Sequence, residues 1–392
     1  MEIQTLVELY DERPLENVLG VEVFHPNSVV YVCAEGDSAR KANQKKLQDY
    51  FAHRDLHPEL TMVHANIYDT AAIVQLFQDI LNRYPGCVMD ITGGTDAVLF
   101  AAGLVCAEHQ VPVMTYSRTM NRYYSIQNAS FAHNLPCGIK FSVEDCFLMA
   151  GGTMRKGRVD NAILGQYMDY IDPFFALFLR HRNRWDKIVS YLQRISPADE
   201  DGNFSLEITG NYSVKGERGS LLTAPEKALQ ELEEIRMINE LNITPGESVS
   251  FRFTDAQIRA WLRDVGSVLE LYVYKACLDT GLFDDVRTSA IVDWDSDEKF
   301  GVVSNELDVM CTRGITPVFI SCKTCMVKTE ALNELSVLRD RFGGKIARAA
   351  IVTAEPAGAA SRNRAADLNI RVIDLNDLNR SALHQRLHNL MH

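Results

Sequence analysis

The chain has 392 residues, and at about 100–200 residues per domain this length predicts two or three domains. Hydrophobic residues make up 46% and charged residues 23%, an ordinary globular composition that excludes a disordered chain. The net charge is −12, from 52 acidic and 40 basic side chains, which argues against a protein that coats nucleic acid by bulk electrostatics. An enzyme that acts on nucleic acid stays possible, because metal ions can supply positive charge locally.

Other features of the composition concern the compartment. No run of about 20 apolar residues is present, so no membrane span is expected. The opening MEIQTLVELYDERP has acids and no basic n-region, so no secretory signal is expected. Nine cysteines, an odd number scattered through apolar runs, indicate reduced thiols and predict a cytoplasmic protein.

Strands and helices alternate in residues 1–150. The predicted strands are 5–10, 28–33, 60–64, 87–91 and 111–116, and the predicted helices between them are 39–51, 70–84 and 95–109. This alternation predicts an α/β domain with a parallel sheet covered on both faces. In such sheets, ligands bind at the carboxyl ends of the strands.

Residues 151–253 have a different pattern. Residues 161–195 are helical and rich in aromatics, a polar stretch follows at 199–220, and an acidic helical run covers 225–242. We interpret the segment as a small helical connector with one β-hairpin, and nothing in it looks catalytic.

Residues 254–392 predict a second α/β unit. A long helix covers 255–280, with Thr254 as its N-cap. The remaining predicted elements are a strand near 289–294, a hairpin of 306–311 and 317–322, a helix at 329–342, and strands at 347–353 and 370–374.

The hairpin carries the strongest chemical signal in the chain. Side chains alternate between the two faces of a strand, so Glu306 and Asp308 share one face, as do Ser321 and Lys323. A tight turn joins the two strands, so two carboxylates and an ammonium group are expected to meet. Like charges this close need a compensating cation, which is either a divalent metal or Lys323.

Glu270 adds a third carboxylate from the helix upstream. It lies among apolar neighbours, where a charge is costly unless it is paired or bound to metal. Glu270, Glu306 and Asp308 together predict a site for Mg²⁺ or Mn²⁺, which activates water and neutralises charge on a phosphodiester. Lys323 would orient that water or stabilise the transition state. The alternative is a plain hairpin with surface acids and a cross-strand salt bridge.

A second constellation lies between a strand and a helix. It consists of Thr92, Gly93, Gly94, Thr95 and Asp96. Glycines let the backbone approach a ligand, and helix N-terminal amides favour phosphate. The same residues also suit a tight strand-to-helix turn. Without a GxGxxG pattern or a Walker lysine, neither dinucleotide nor triphosphate binding follows.

The C-terminal arrangement resembles the PD-(D/E)xK nuclease fold, in which a helix, an acid-bearing strand, a (D/E)xK strand and a helix recur. By residue match, Asp308 stands for the first acid, Lys323 for the lysine and Glu270 for the helical acid, with Glu306 as an additional neighbour. The sequence departs from the pattern at Ser321, where the family has Asp or Glu. This departure leaves the number of metal ions open.

The N-terminal half resembles a CARF domain, through TGGT at the end of a strand and the opening TLVELYDERPLENVLG. CARF domains sense cyclic oligoadenylates in type III CRISPR immunity, and the whole chain resembles the CRISPR-ancillary nucleases that fuse CARF to PD-(D/E)xK. The resemblance implies a Rossmann-like CARF domain (1–150), a helical connector (151–253) and a restriction-endonuclease-like domain (254–392). It further implies a homodimer that binds cyclic tetra-adenylate as an allosteric activator and then cleaves DNA, RNA or both with a metal ion.

The resemblance also assigns residues to the effector site. Thr92, Gly93, Gly94 and Thr95 would contact the cyclic nucleotide. Further rim residues follow three strands, namely Asp11 and Arg13, Ser38, and Ser117 and Arg118. Asp96 stands where family members often carry a basic residue, which leaves the ring size open.

Two other functions remain as alternatives. One is a CARF-type ligand-sensing regulator with a catalytically inactive C-terminal domain, which Ser321 in the acid position favours. The other is a metabolic enzyme that binds a nucleotide cofactor on the N-terminal sheet, and the lack of a GxGxxG motif argues against it.

Overall fold

The structure is a computed structural model that describes residues 2–34, 36–156, 159–198, 204–297 and 301–391, and every count below refers to these residues. None of their helices is long and apolar enough to cross a bilayer. The nine cysteines are all described, each as a thiol, and Cys325 is the exposed one among them.

A seven-stranded sheet forms the N-terminal half of the described chain, in the order β3-β2-β1-β4-β5-β6-β7. Strands β1 to β5 are parallel to one another, whereas β6 pairs antiparallel with β5 and β7 pairs antiparallel with β6 at one edge. The strands are β1 Thr5–Leu9, β2 Ser28–Cys33, β3 Glu59–His64, β4 Val88–Asp90, β5 Val113–Ser117, β6 Arg122–Gln127 and β7 Leu135–Pro136.

Helices cover both faces of this sheet, because alternate strand residues are apolar on each side. Leu6 and Val29 pack with α1 and α2 on one face, and Val7 and Val30 pack with α3 and α4 on the other. The helices are α1 Leu19–Phe24, α2 Asp37–His53, α3 Thr70–Arg83, α4 Asp96–His109 and α5 Val143–Met149. The predicted alternation of strand and helix is confirmed.

The connector contains more strand than the sequence predicted. Its elements are β8 Thr153–Lys156, α6 Met168–His181, α7 Trp185–Ile195, β9 Glu207–Asn211, β10 Ser213–Lys215, β11 Leu221–Thr223, α8 Glu226–Glu234, β12 Ile238–Thr244 and β13 Ser248–Phe253. The helix predicted over 225–242 ends at Glu234, because the following INELNIT alternates buried and exposed residues as a strand does. The helix predicted over 161–195 is divided by a 3-10 turn at Arg182–Arg184.

The C-terminal half is built on a six-stranded sheet in the order β18-β17-β16-β15-β14-β8, so the connector strand β8 forms one edge of it. Strands β14, β15 and β16 are antiparallel, and β16, β17 and β18 are parallel. The elements are α9 Ala256–Leu262, α10 Ser267–Asp279, β14 Asp285–Asp297, β15 Gly301–Arg313, β16 Thr316–Lys323, α11 Thr329–Gly343, β17 Arg348–Thr353, α12 Ala359–Asp367, β18 Arg371–Ile373 and α13 Arg380–Leu390.

The single helix predicted over 255–280 is wrong. Asp255, not Thr254, caps α9, since its Oδ1 accepts a hydrogen bond from the Ile258 amide at 2.8 Å. Asp264 Oδ2 then accepts from the amides of Gly266 at 3.1 Å and Ser267 at 2.8 Å. This carboxylate satisfies two amides at the start of a new helix, so α10 begins at Ser267.

A pair of carboxylates is buried in the middle of the N-terminal sheet. Glu8 on β1 lies opposite Asp90 on β4, and both side chains are fully buried. Neither Glu8 oxygen has a hydrogen-bond partner among the described residues, whereas Asp90 Oδ1 accepts from the Thr92 amide at 2.8 Å. Burial, with the nearby Asp90 charge, raises the pKa of Glu8 well above its usual value. Burial raises the pKa of Asp90 to about 6.

This pair makes stability depend on pH. Because each folded-state pKa lies above the unfolded one, the folded protein binds more protons between the two values, and the free energy of unfolding falls as the pH rises from about 4 to above 6. We expect Glu8→Gln to flatten the fall of the melting temperature between about pH 4 and pH 7. Glu108→Gln, on the exposed surface of α4, is the control and should follow the wild-type curve. A Glu8→Gln curve parallel to wild type would contradict the account.

Candidate functional site

The cleft of the C-terminal sheet opens where β15 and β16 part. Their antiparallel pairing runs from Arg313↔Thr316 to Val309↔Ile320. Beyond the last pair, β15 continues through Asp308 to Glu306, and β16 continues to Lys323. The side chains here line a surface cleft, together with Glu334 of α11. The middle of β15 and the end of β16 thus frame an opening at the polar residues that the sequence singled out.

Asp308 is the centre of this cleft. Its Oδ2 accepts hydrogen bonds from the Cys322 amide at 2.6 Å and from Ser321 Oγ at 3.0 Å. Lys323 Nζ lies 3.4 Å from the same oxygen. The structure therefore brings together Asp308, Ser321 and Lys323.

The charge of Lys323 is set by the acids around it. Burial on its own would lower the pKa of Lys323, but its interactions with Asp308 and Cys322 and the hydrogen bond to Asp308, with a smaller contribution from Glu270 on α10, raise the pKa above its ordinary value. Lys323 is therefore an ammonium group at neutral pH, suited to stabilise negative charge and not to accept a proton. Its dependence on Glu270 places that helical acid in the same electrostatic neighbourhood.

Glu306 is held differently. Its side chain is exposed, and Oε1 accepts a hydrogen bond at 3.1 Å from the hydroxyl of Ser289, a residue of β14 with left-handed backbone (φ 51°). Within the described residues, no three His, Cys, Asp or Glu side chains form a group that could hold a metal ion, so the predicted ligands Glu270, Glu306 and Asp308 do not come together as one set. Asp308 and Glu270 both act on Lys323 and supply the oxygen donors that Mg²⁺ and Mn²⁺ take.

The second group of predicted residues lies at the carboxyl end of β1. Asp11 Oδ2 forms an ion pair with Arg13 Nη2 at 2.6 Å and accepts a hydrogen bond from the Gly94 amide at 3.2 Å. Burial would raise the pKa of Asp11, but its bonds to Arg13 and Gly94 lower it. Asp11 thus ties Arg13 to the glycine turn that follows β4.

The two glycines have a structural reason of their own. A Cβ on Gly93 would lie 2.6 Å from the Leu9 carbonyl oxygen, and a Cβ on Gly94, whose φ is +97°, would lie 2.7 Å from Leu9 Cβ. Only glycine fits so close to the end of β1. Thr92 closes the turn on its other side, since its Oγ1 accepts from the Tyr116 amide at 2.8 Å. The turn is therefore packed against β1 and β5.

Two arginine side chains approach the buried carboxylate of Glu16 at this edge. Glu16, which is 3% exposed, forms an ion pair with Arg118, and its Oε1 lies 3.7 Å from Arg13 Nη1. Burial and the nearby charge of Arg13 lower the pKa of Arg118. Asp11 and Glu16 balance the charges of the two guanidinium groups, whose planar sets of donors suit phosphate oxygens.

The remaining predicted rim residues are not bonded to the Asp11–Arg13 pair. Thr95 is the exposed N-cap of α4, and Asp96 is the exposed first residue of that helix. Ser38 is exposed in the first turn of α2. Ser117 lies at the end of β5, where its Oγ accepts from the Met120 amide at 3.4 Å. The structure places these four at the carboxyl edge of the sheet and shows no bond from them to the Asp11–Arg13 pair.

Sequence reasoning missed Glu16 and Asn17, which hold this edge together. Asn17 Oδ1 accepts from the Asp11 amide at 2.8 Å, and Asn17 Nδ2 donates to the Asp11 carbonyl at 2.7 Å. Their burial in a 3-10 turn follows no strand or helix period, and the one local signal is a polar pair directly after Pro14–Leu15. It also missed a cleft between the two halves, where Arg118 faces Arg313 and Arg348.

Comparison with known proteins gives a family for part of the chain. Residues 259–391 match the model of the Card1-like endonuclease domain. Among curated proteins, none matches the sequence closely enough to count as a relative.

Two solved structures share the fold of the whole chain. Can2 from Sulfobacillus thermosulfidooxidans, in complex with cyclic tetra-adenylate, has a TM-score of 0.70 and 19% identity over 99% of each chain. Protein VC1899 from Vibrio cholerae has a TM-score of 0.71 and 17% identity over 98% of this chain and 97% of its own. At these identities the likeness is one of fold. The predicted resemblance is thereby confirmed for the endonuclease domain, through the family matched at residues 259–391, and for the fold of the whole chain.

Proposed function

We propose that this protein is an endonuclease of type III CRISPR defence, activated by cyclic tetra-adenylate and dependent on Mg²⁺ or Mn²⁺. It acts in the cytoplasm as a homodimer and cleaves phosphodiester bonds of DNA, RNA or both. The observation that carries the proposal is the convergence of Ser321, the Cys322 amide and Lys323 on Asp308 Oδ2, at the point where β15 and β16 part. The match of residues 259–391 to an endonuclease domain supports it.

The residues of the cleft divide the chemistry among them. Asp308 and Glu270 would hold the metal ion, with water and substrate phosphate as further ligands, as Mg²⁺ sites commonly have. Bound there, the ion supplies an activated water and neutralises charge on the phosphate. Lys323, kept protonated by its acidic neighbours, stabilises the charge that develops on the phosphate. Glu306 keeps its predicted role as an additional metal ligand, which it could take up after leaving Ser289.

The sensor site is the carboxyl edge of the N-terminal sheet. Arg13 and Arg118 would bind effector phosphates, and the turn Thr92–Thr95 would contact the nucleotide, with Asp96, Ser38 and Ser117 at the rim. The position of Arg13 beside the glycine turn supports this assignment, because Asp11 joins it to the Gly94 amide and guanidinium groups bind phosphate oxygens. The cyclic tetra-adenylate bound by Can2, which shares the fold, supports the choice of effector.

Helix α4 supports the homodimer. It is apolar on all sides, and it exposes 62% of Phe100 and 49% of Leu104. Exposed apolar surface on a helix of this kind marks an interaction site. At 1.5 Å per residue, Phe100 lies only about 6 Å along the axis from Asp96. A second copy that packs on Phe100 would therefore bring the two glycine turns together around one cyclic ligand.

The proposal predicts that Lys323→Met lowers the rate of cleavage by about 100-fold or more, because the variant keeps the length of the side chain and loses the charge. Cleavage of labelled single-stranded DNA, RNA and plasmid is measured with Mg²⁺ or Mn²⁺, with and without cyclic tetra-adenylate. Effector affinity, measured by calorimetry, should stay at the wild-type value.

Lys328→Ala is the matched control, an exposed lysine directly before α11, and it should cut like wild type. Wild-type cleavage by Lys323→Met would contradict the site assignment. If the wild-type protein binds the effector and cuts no substrate with either metal, the nuclease proposal is wrong and a ligand-sensing regulator takes its place.

A second prediction concerns assembly. Phe100→Asp with Leu104→Asp should convert the dimer to a monomer in size-exclusion chromatography with light scattering, because two charges then lie in the apolar contact. Effector binding should weaken together with dimerisation. The control is Val337→Asp, at an exposed apolar residue on α11, which should stay dimeric. A double variant that remains dimeric would place the interface elsewhere.

A further inference from the structure

The connector turn between α6 and α7 is linked to the end of β16, which carries Lys323. Along α6, Asp172 Oδ2 pairs with Lys275 Nζ at 2.6 Å, and Phe175 stacks on Tyr272 of α10 at 3.6 Å. Residues further along α6 therefore contact residues closer to the start of α10, so the two helices are antiparallel. Just past the turn, Trp185 Nε1 donates to the Val265 carbonyl at 3.2 Å. The turn is therefore at the end of α10 that carries Glu270.

A second contact fixes the turn against the sheet. Arg182 Nε lies 3.3 Å from Glu355 Oε1, and both side chains are mostly buried, at 24% and 30% exposure. Glu355 follows Ala354, whose amide donates to the Lys323 carbonyl at 3.0 Å. One ion pair and one backbone hydrogen bond therefore link Arg182 to the strand end that carries Lys323.

The charges of this region indicate what the turn can do. Acids line the cleft, with Glu306, Asp308 and Glu334 among them, in a chain of net charge −12. A nucleic-acid strand entering it meets repulsion unless cations lie along its path. Arg184 is exposed on the turn beside Arg182, and the planar guanidinium group suits phosphate oxygens.

We propose that the turn Arg182–Arg184 is a substrate-binding element that contacts backbone phosphates of the strand to be cut. Glu355 positions Arg182 towards the cleft, and Arg184 contributes a second, exposed cation. This inference rests on the proposed nuclease function and extends it by naming a phosphate contact outside the family-matched domain, on the connector.

The test measures binding of a labelled oligonucleotide to the full-length protein with cyclic tetra-adenylate, in EDTA so that the strand stays intact. Arg182→Ala and Arg184→Ala should each weaken binding by about tenfold. Each should also reduce the slope of log Kd against log salt by about one phosphate contact. With metal present, Arg184→Ala should raise KM and leave kcat near the wild-type value.

Two matched variants separate a substrate contact from a structural role. Arg180→Ala lies near the turn, but its guanidinium pairs with Glu231 at 2.9 Å, so its salt slope should equal that of wild type. Glu355→Gln removes the ion pair and keeps the Arg182 charge, so its slope should not fall below the wild-type value. Equal losses of melting temperature in Arg182→Ala and Glu355→Gln, with wild-type slopes in both and in Arg184→Ala, would overturn the inference.

The same measurements distinguish a failure of the substrate-binding inference from a failure of the proposed nuclease function. If wild type cuts nucleic acid and the arginine variants keep its affinity and salt slope, the inference is wrong and the nuclease function stands. If wild type neither binds nor cuts DNA or RNA with either metal, the nuclease function is wrong and the inference falls with it.

Discussion

The separation of β15 from β16 at Asp308 is the constraint on which the candidate catalytic site depends. A regular ladder would continue past Val309↔Ile320 and close the sheet, but the Cys322 amide donates to the Asp308 carboxylate at 2.6 Å. The Asp308 carboxylate thus accepts the hydrogen bond that a backbone carbonyl of the paired strand would otherwise accept from the Cys322 amide. A hydrogen bond to a carboxylate is stronger than one to a neutral carbonyl. The two separated strands frame a cleft, and Lys323 keeps its positive charge inside it because the same carboxylate lies 3.4 Å away.

Packing joins this cleft to the sensor edge. One hydrophobic core contains residues of the N-terminal sheet, α5, β15, β16 and α11, and Phe147 of α5 meets Phe342 of α11 edge to face at 5.0 Å. The Val143 amide donates to Asp285 at the start of β14, and the Phe141 amide donates to the Gly314 carbonyl. An effector that prefers one arrangement of the N-terminal edge can therefore shift the population of the catalytic half by its difference in affinity for the two states.

The parts of the molecule that sequence could predict are those determined by local pattern. Short stretches of sequence determine the alternating strands and helices, the polar pairs of the hairpin and the glycine turn. The contacts of Glu16, the orientation of Glu306 towards Ser289 and the link between Arg182 and Glu355 join residues from different elements, so no period in the sequence marks them. The division of the predicted 255–280 helix depends on one carboxylate, Asp264, which starts a new helix where apolar periodicity alone favours a continuous one.

Both candidate sites hold their cations in the same manner. At the sensor edge, Arg13 forms an ion pair with Asp11 and Arg118 forms one with Glu16. In the cleft, Lys323 forms an ion pair with Asp308. An arginine or lysine without such an acid would pay the desolvation cost of its partly buried position alone. An incoming phosphate competes with the resident carboxylate for the cation, so the acids that give the chain its charge of −12 also set how strongly a phosphate must bind to displace them. On the proposed function, a strongly acidic protein recognises two polyanions because its positive charge is concentrated at the two sites where their phosphates would lie.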